Sequence, residues 1–216
     1  MSSARPLSAE RQAKYEHEAD AIMRAAYRVI GRSEGGGCSV HDILGEAGLS
    51  TRAFYRHFKS KDEVILAMYR QAYERVAAEL NAVATSADGP RAAFEAWVQH
   101  HLAVAYDPKR AARSLVLRSA EVRNARGFAE VHQESVRVLR AGLVEILTAG
   151  REAGVFPLAD PVEDARAVQS VISGLIDARL GGAHGPSKPV AREHTVSLFL
   201  RAFGAVPTHA GLDNDK

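Results

Sequence analysis

Cysteine is almost missing from this chain: Cys38 is the single one in 216 residues. No intrachain disulfide and no paired-cysteine metal or redox motif can therefore form, and the usage suits a reducing compartment. No run of about 18 apolar residues occurs, so no membrane span is expected. The first twenty residues are polar and charged and lack the apolar stretch of a secretion signal. Charge of one sign is also lacking, since 28 Lys and Arg against 26 Asp and Glu leave a net charge of +2. Overall charge thus gives no argument for a polyanionic partner, and any such argument must come from local clustering. Catalytic signatures are missing too: there is no HExxH, no ExxH, no phosphate-cradling glycine loop and no GxSxG turn. His100, His101 and His132 have no carboxylate at metal-ligand spacing on a shared face. No metal and no cofactor are expected.

What is present is helical periodicity. With 46% hydrophobic residues the chain can bury one sizeable core or two smaller ones. Apolar residues recur at three- and four-residue steps and period-two alternation is scarce, which predicts an all-α fold. A first helix is expected from a Ser8 cap to about Ile30, with Ala19, Ile22, Met23, Ala26, Val29 and Ile30 as its buried stripe. Ser60-Lys61-Asp62-Glu63 reads as a capping box opening a helix to about Val83. The Thr, Ser, Asp, Gly and Pro of residues 84–90 mark a boundary. Downstream, Phe94, Trp97, Val98, His101, Leu102 and Ala105 fit one helical face. Further helices are expected from Pro108 to about Val122, Phe128 to Ala153, Pro161 to Leu180 and Val190 to Phe203. Residues 1–7 and 205–216 read as disordered.

Residues 39–64 carry the most information. Ile43, Leu44 and Ala47 form one apolar face, and Gly48 stands where the helix must stop in a left-handed backbone. Ser50 is a good N-cap for a second helix from about Thr51 to His57. Phe54 and Phe58, four apart, can both face inward. Thr51, Arg52, Tyr55, Arg56 and Ala53 are then left outward. Residues 50–61 hold Arg52, Arg56, Lys59 and Lys61 and no acidic residue. Two helices joined by a short glycine-containing turn form a helix-turn-helix, whose second helix is built to enter a major groove. An arginine there can read guanine, and Thr or Tyr suit phosphates or base edges.

Ser39, Val40, Asp42 and Ile43, then Ala47-Gly48-Leu49-Ser50, then Phe54-Tyr55-x-His57-Phe58 and Ser60-Lys61-Asp62-Glu63 together resemble the DNA-binding domain of the TetR family of transcriptional regulators. The resemblance covers residues 15–75. It implies a three-helix head within residues 1–83 and an effector-binding and dimerisation domain over residues 84–216. It also implies a DNA-facing set of Ser39, Ser50, Thr51, Arg52, Ala53, Tyr55, Arg56, His57 and Lys61. Within that set Tyr55, Lys61 and Ser39 would contact phosphates, and Thr51, Arg52 and Arg56 would set sequence preference. The chain departs from the family pattern at Glu34-Gly35-Gly36-Gly37-Cys38, where a glycine followed by an aromatic is usual.

By the same resemblance, Trp97, His101, Leu102, Leu115, Phe128 and Val131 are candidates to line an effector pocket. Val168, Ile172, Leu175, Ile176, Val196, Phe199 and Phe203 are candidates for a homodimer interface. The expected protein is a cytoplasmic, ligand-responsive repressor, with double-stranded DNA, a small-molecule effector and a second copy of itself as partners. An all-helical enzyme, or a scaffold that keeps the fold without binding DNA, is the alternative.

Overall fold

A computed structural model describes residues 9–33 and 37–206. The expected Ser8 cap, the expected disorder of residues 1–7 and most of the expected tail lie outside these residues. Among the described residues there are ten α-helices and no strand: α1 (Ala9–Arg32), α2 (Val40–Ala47), α3 (Thr51–His57), α4 (Lys61–Thr85), α5 (Gly89–Tyr106), α6 (Pro108–Leu117), α7 (Ala120–Arg123), α8 (Phe128–Glu152), α9 (Pro161–Leu180) and α10 (Lys188–Ala202). The all-α expectation holds. None of these helices is long and apolar enough to cross a membrane.

Local chemistry sets most of the boundaries. Ser39 caps α2 through a reciprocal box with Asp42, and Gly48 ends that helix at φ 65° and ψ 30°. The Ser50 side chain accepts from the Ala53 N–H and starts α3. At α4 the Glu63 N–H donates to Ser60 Oγ (3.2 Å), as a capping box requires. The return bond differs, because the Glu63 carboxylate accepts from the Lys59 N–H (2.6 Å) rather than from the cap residue itself. The one long helix expected over residues 108–122 is two, because Ser119 takes an extended backbone and its hydroxyl caps the separate turn α7. Asp160 caps α9 with Pro161 in its first turn, as first-turn prolines favour.

The packing divides into two compact units that are not linear pieces of the chain. One comprises Met1–Tyr73 and Arg113–Ser135, the other Glu74–Ala112 and Val136–Lys216. In the first unit, Ile22, Ala25, Ala26 and Ile30 of α1 meet Ile43 and Leu44 of α2, Phe54 of α3 and Val64, Ile65, Met68 and Tyr69 of α4. Val122 and Ala125, distant in sequence, complete the same cluster. Phe54 and Phe58 are both buried, as their spacing predicts. Burying a side chain of Phe54's size contributes about 1.5–3 kcal/mol, enough to hold a helix of only seven residues that would not persist alone.

In the second unit α5 packs on α9 and α10. Phe94, Trp97, Val98 and Leu102 of α5 are fully buried, as are Leu143 and Leu147 of α8 and Val168 and Ile172 of α9. Phe94, Phe156 and Phe203 contact one another at centroid distances of 5.3–6.3 Å.

This arrangement corrects the dimer-interface expectation for six of its seven residues. Val168, Ile172, Ile176, Val196, Phe199 and Phe203 are buried within the single chain, and Leu175 is only partly covered. The apolar stripe of each helix is consumed by its own unit. The outward face of α9 instead carries Ala167, Val171 and Gly174, and that of α10 carries His194, Leu198 and Arg201, all exposed.

Candidate nucleic-acid interface

The reading helix follows from two buried anchors and one turn. Gly48 sits in the left-handed region, where a β-carbon would cost roughly 1–2 kcal/mol. Its N–H returns to the Leu44 carbonyl, which closes α2 and turns the chain into Ser50. Burial of Phe54 and Phe58 then fixes the rotation of α3, leaving Thr51, Arg52, Tyr55 and Arg56 exposed, with Tyr55 at 59%. These four are the outward face that the sequence predicts. Ser39, Ser50 and Lys59 are exposed as well.

Two residues of the expected DNA-facing set are not on that face. Ala53 is buried at 7% exposure, because it lies on the side of α3 that carries Phe54. The His57 side chain is 1% exposed. Its ring packs on Tyr15 at 4.1 Å, and its Nε2 meets Glu18 Oε2 at 3.0 Å. His57 therefore fastens α3 to α1 rather than facing outward.

Three residues outside the motif complete the geometry. Tyr15 Oη donates to the Arg56 carbonyl (3.2 Å). Glu18 accepts from Arg56 Nη2 (2.5 Å) while holding His57. The His57 hydrogen bond first, and Arg56 after it, keep the Glu18 carboxyl below its ordinary range. Glu121 of α7 takes the Lys61 ammonium at 2.5 Å, and that hydrogen bond pushes the Lys61 pKa up. Tyr15 and Glu18, three apart on α1, share a face and could have been suspected from spacing. Glu121 is sixty positions from its partner, and no local pattern announces it.

Behind this surface, Cys38 is buried and unpaired with any other cysteine. Burial pushes its thiol up to about 11, so the reactive thiolate is scarce at neutral pH. Glu46 of α2 accepts from Arg28 and Arg32 of α1, which ties those two helices together.

The candidate effector residues do not come together within one unit. Trp97, His101 and Leu102 are buried in the second unit. Leu115 is 51% exposed and, like Phe128 and Val131, belongs to the first unit. Phe128 and Val131 pack against the core of the reading head, where Phe128 meets Tyr69 edge-on at 5.1 Å and stacks on His132 at 5.5 Å. Leu115, Phe128 and Val131 thus belong to a different compact unit from Trp97. Inside the second unit a crevice of ≈ 310 Å³ is lined by Asn81, Ala84, Pro90, Ala93, Gly142 and Ile146 among others, and none of the six candidates borders it. Among the described residues no group of three His, Cys, Asp or Glu side chains could hold a metal ion.

Residues 22–68 match the family model of the bacterial regulatory proteins, tetR family. No curated protein matches the sequence. Solved structures of similar fold include a transcriptional regulator from Rhodococcus sp. Rha1, with 25% identity and a TM-score of 0.65 over 88% of this chain and 99% of that one. A TetR transcription regulator from Haloarcula marismortui has 21% identity and a TM-score of 0.70, covering 87% and 98%. The transcriptional regulator FadR from Bacillus subtilis, solved in complex with stearoyl-CoA, has 14% identity and a TM-score of 0.70, covering 85% and 98%. The class defined is thus a helix-turn-helix regulator of transcription, not an enzyme. Within that class, residues 22–68 carry the tetR-family DNA-binding segment, and the rest of the chain shares the fold of the solved regulators.

Proposed function

We propose that the chain is a ligand-responsive repressor that binds a two-fold-symmetric DNA site as a homodimer and leaves it when a small molecule binds. The observation that carries this reading is the outward face of α3, where Thr51, Arg52, Tyr55 and Arg56 stand exposed on a helix whose other side is locked into the core. Tyr55, Ser39 and Lys61 are assigned to phosphates, which position the head, and Thr51, Arg52 and Arg56 to base edges, which specify the site. A seven-residue helix makes too few contacts for a lone half-site. Two copies related by a two-fold axis would read grooves about 34–36 Å apart.

The second copy is assigned to the exposed face of α9 and α10, with Val171, Gly174 and Leu198 at its centre. The exposed small residue Gly174 would admit close helix approach, and Leu198 is 47% exposed. The effector is assigned to the second unit. Its crevice of ≈ 310 Å³ lies at the small end of the roughly 300–1,000 Å³ typical of ligand sites. The fully buried Trp97 indole N–H has no hydrogen-bond partner among the described residues. That donor belongs to the same unit but does not border the crevice, whose Ala84, Pro90, Ala93 and Ile146 favour a largely apolar molecule. Effector and DNA act as antagonists if the effector prefers the spacing of heads that does not fit the operator. Such a protein works in the cytoplasm, beside the DNA it reads.

Selection from a random duplex library tests the reading. An enriched inverted repeat is the expected product. A purified protein that enriches no sequence and retains no duplex would refute it.

A further inference from the structure

The Lys61–Glu121 pair has a setting that an ordinary surface ion pair lacks. Lys61 opens α4, and Glu121 comes from α7, in the Arg113–Ser135 segment that joins the reading head from outside its continuous sequence. The carboxylate is held in place rather than draped. Its neighbour Val122 is fully buried in the core that also takes Val64 and Ile65 of α4, and Ser119 caps the turn that carries it. One oxygen, Oε1, meets Lys61 Nζ. The other, Oε2, lies 3.7 Å from where a β-carbon on Gly37 would stand, at the approach to the Ser39 cap of α2. An anionic oxygen pair therefore sits between the two places, Lys61 and the start of α2, that the DNA-binding reading assigns to backbone phosphates.

We propose that Glu121 sets the DNA affinity of this protein by occupying, in its free state, the position of a backbone phosphate at Lys61. The inference rests on the DNA-binding reading above. DNA must then displace a carboxylate rather than water from Lys61, so Lys61 contributes only the difference between two anionic partners. Glu121 lies outside residues 22–68, and it follows α6 in the chain, a helix whose first residues belong to the other unit. A shift of α7 that withdraws the carboxylate would strengthen DNA binding without altering any residue of the reading face.

The test measures affinity for the duplex recovered by selection, at fixed salt, in four proteins beside the wild type: Glu121→Gln, Lys61→Gln, the double variant, and Glu46→Gln. The last removes an equal charge from the same unit at a carboxylate that holds Arg28 and Arg32 instead. Glu121→Gln is expected to tighten binding about two- to fivefold beyond Glu46→Gln, the range of a partly exposed ion pair. That gain is expected to vanish in the Lys61→Gln background, because both residues act on one contact. Equal affinities for Glu121→Gln and Glu46→Gln, or a gain that persists without Lys61, would overturn the proposal. A lower melting temperature with unchanged affinity would do the same, by assigning Glu121 to fold stability alone. If Glu121→Gln loses its helical circular dichroism, Glu121→Ala carries the same comparison. Should the wild type bind no duplex, the DNA-binding reading itself fails and this inference with it. Wild-type binding with no Glu121 effect refutes the inference alone.

Discussion

Gly150 offers a substitution for which two physical effects oppose each other and the structure decides the sign. It lies inside α8 and is buried. By helix propensity, replacing a mid-helix glycine with alanine gains about 0.5–1 kcal/mol. A β-carbon built there would stand 2.0, 2.5 and 2.9 Å from three ring carbons of Phe156. The ring would have to retreat by more than an ångström to reach ordinary contact. It cannot do so freely, because Phe156 is fully buried and meets Phe94 at 6.3 Å and Phe203 at 5.4 Å. Overpacking of this kind costs about 1–3 kcal/mol and sometimes more. Gly150→Ala should therefore lose a net of about 1–2 kcal/mol, or roughly 2–8 °C in melting temperature for a chain of this size. Thermal unfolding at one fixed protein concentration measures it, since association would otherwise shift the midpoint. Gly45→Ala is the matched control: it is also inside a helix, and nothing lies within 4 Å of its added carbon. It should gain stability or leave it unchanged. A Gly150→Ala protein as stable as the wild type would show that the three-phenylalanine cluster yields, and that its packing does not constrain α8.

Arg52→Ala should relax base preference by about 1–3 kcal/mol if the guanidinium reads a base bidentately; a preserved ratio of specific to scrambled binding would remove Arg52 from base readout. Ser39→Ala should cost about 1 kcal/mol of stability through the lost cap. It should also remove one of the two donors, the Ser39 hydroxyl and N–H, that hold the Asp42 carboxyl below its ordinary range. A lowered folded-state pKa contributes stability above the unfolded value and loses it as pH falls through the folded one, so the wild type should lose more stability on acidification than the variant. Parallel acid limbs in denaturation profiles would contradict this. Leu198→Asp should convert the proposed dimer to monomer by light scattering without loss of helicity, whereas Val168→Asp should unfold the chain; a Leu198→Asp dimer would exclude the α10 face as the contact.

The reading head was legible because its determinants are local. Gly48 demands a left-handed backbone, Ser39 and Ser50 supply caps within three residues of the bonds they make, and the spacing of Phe54 and Phe58 sets the rotation of α3. The same periodicity misled for α9 and α10. A stripe such as Val168, Ile172 and Ile176 announces a buried face but does not say which surface buries it, and here the chain's own α5 does. Ala53 and His57 show the limit on a shorter scale. Helical spacing alone leaves both at the margin of the outward face, and only the position of α1, with Tyr15 and Glu18, turns His57 inward. Pairs joined over sixty positions, such as Lys61 with Glu121, leave no trace in any window of sequence. The effector candidates are divided between units for a related reason: Phe128 and Val131 begin a helix that the periodicity presents as one piece, while its first two turns serve a different core from the remainder.

Val122 and Ala125 share a core with Phe54 and Ile65, which has a practical meaning for anyone wishing to cut or recombine this molecule. A fragment ending near residue 83 would carry every residue of the reading face yet leave a hole where those two side chains belong, with apolar surface open to water. Fusing that fragment to a foreign sensor would meet the same defect, unless the graft also brought the stretch from Arg113 to Ser135. The capacity to recognise an operator is thus divided between two separated stretches of polypeptide, and inheritance of one without the other should yield a poorly folded head.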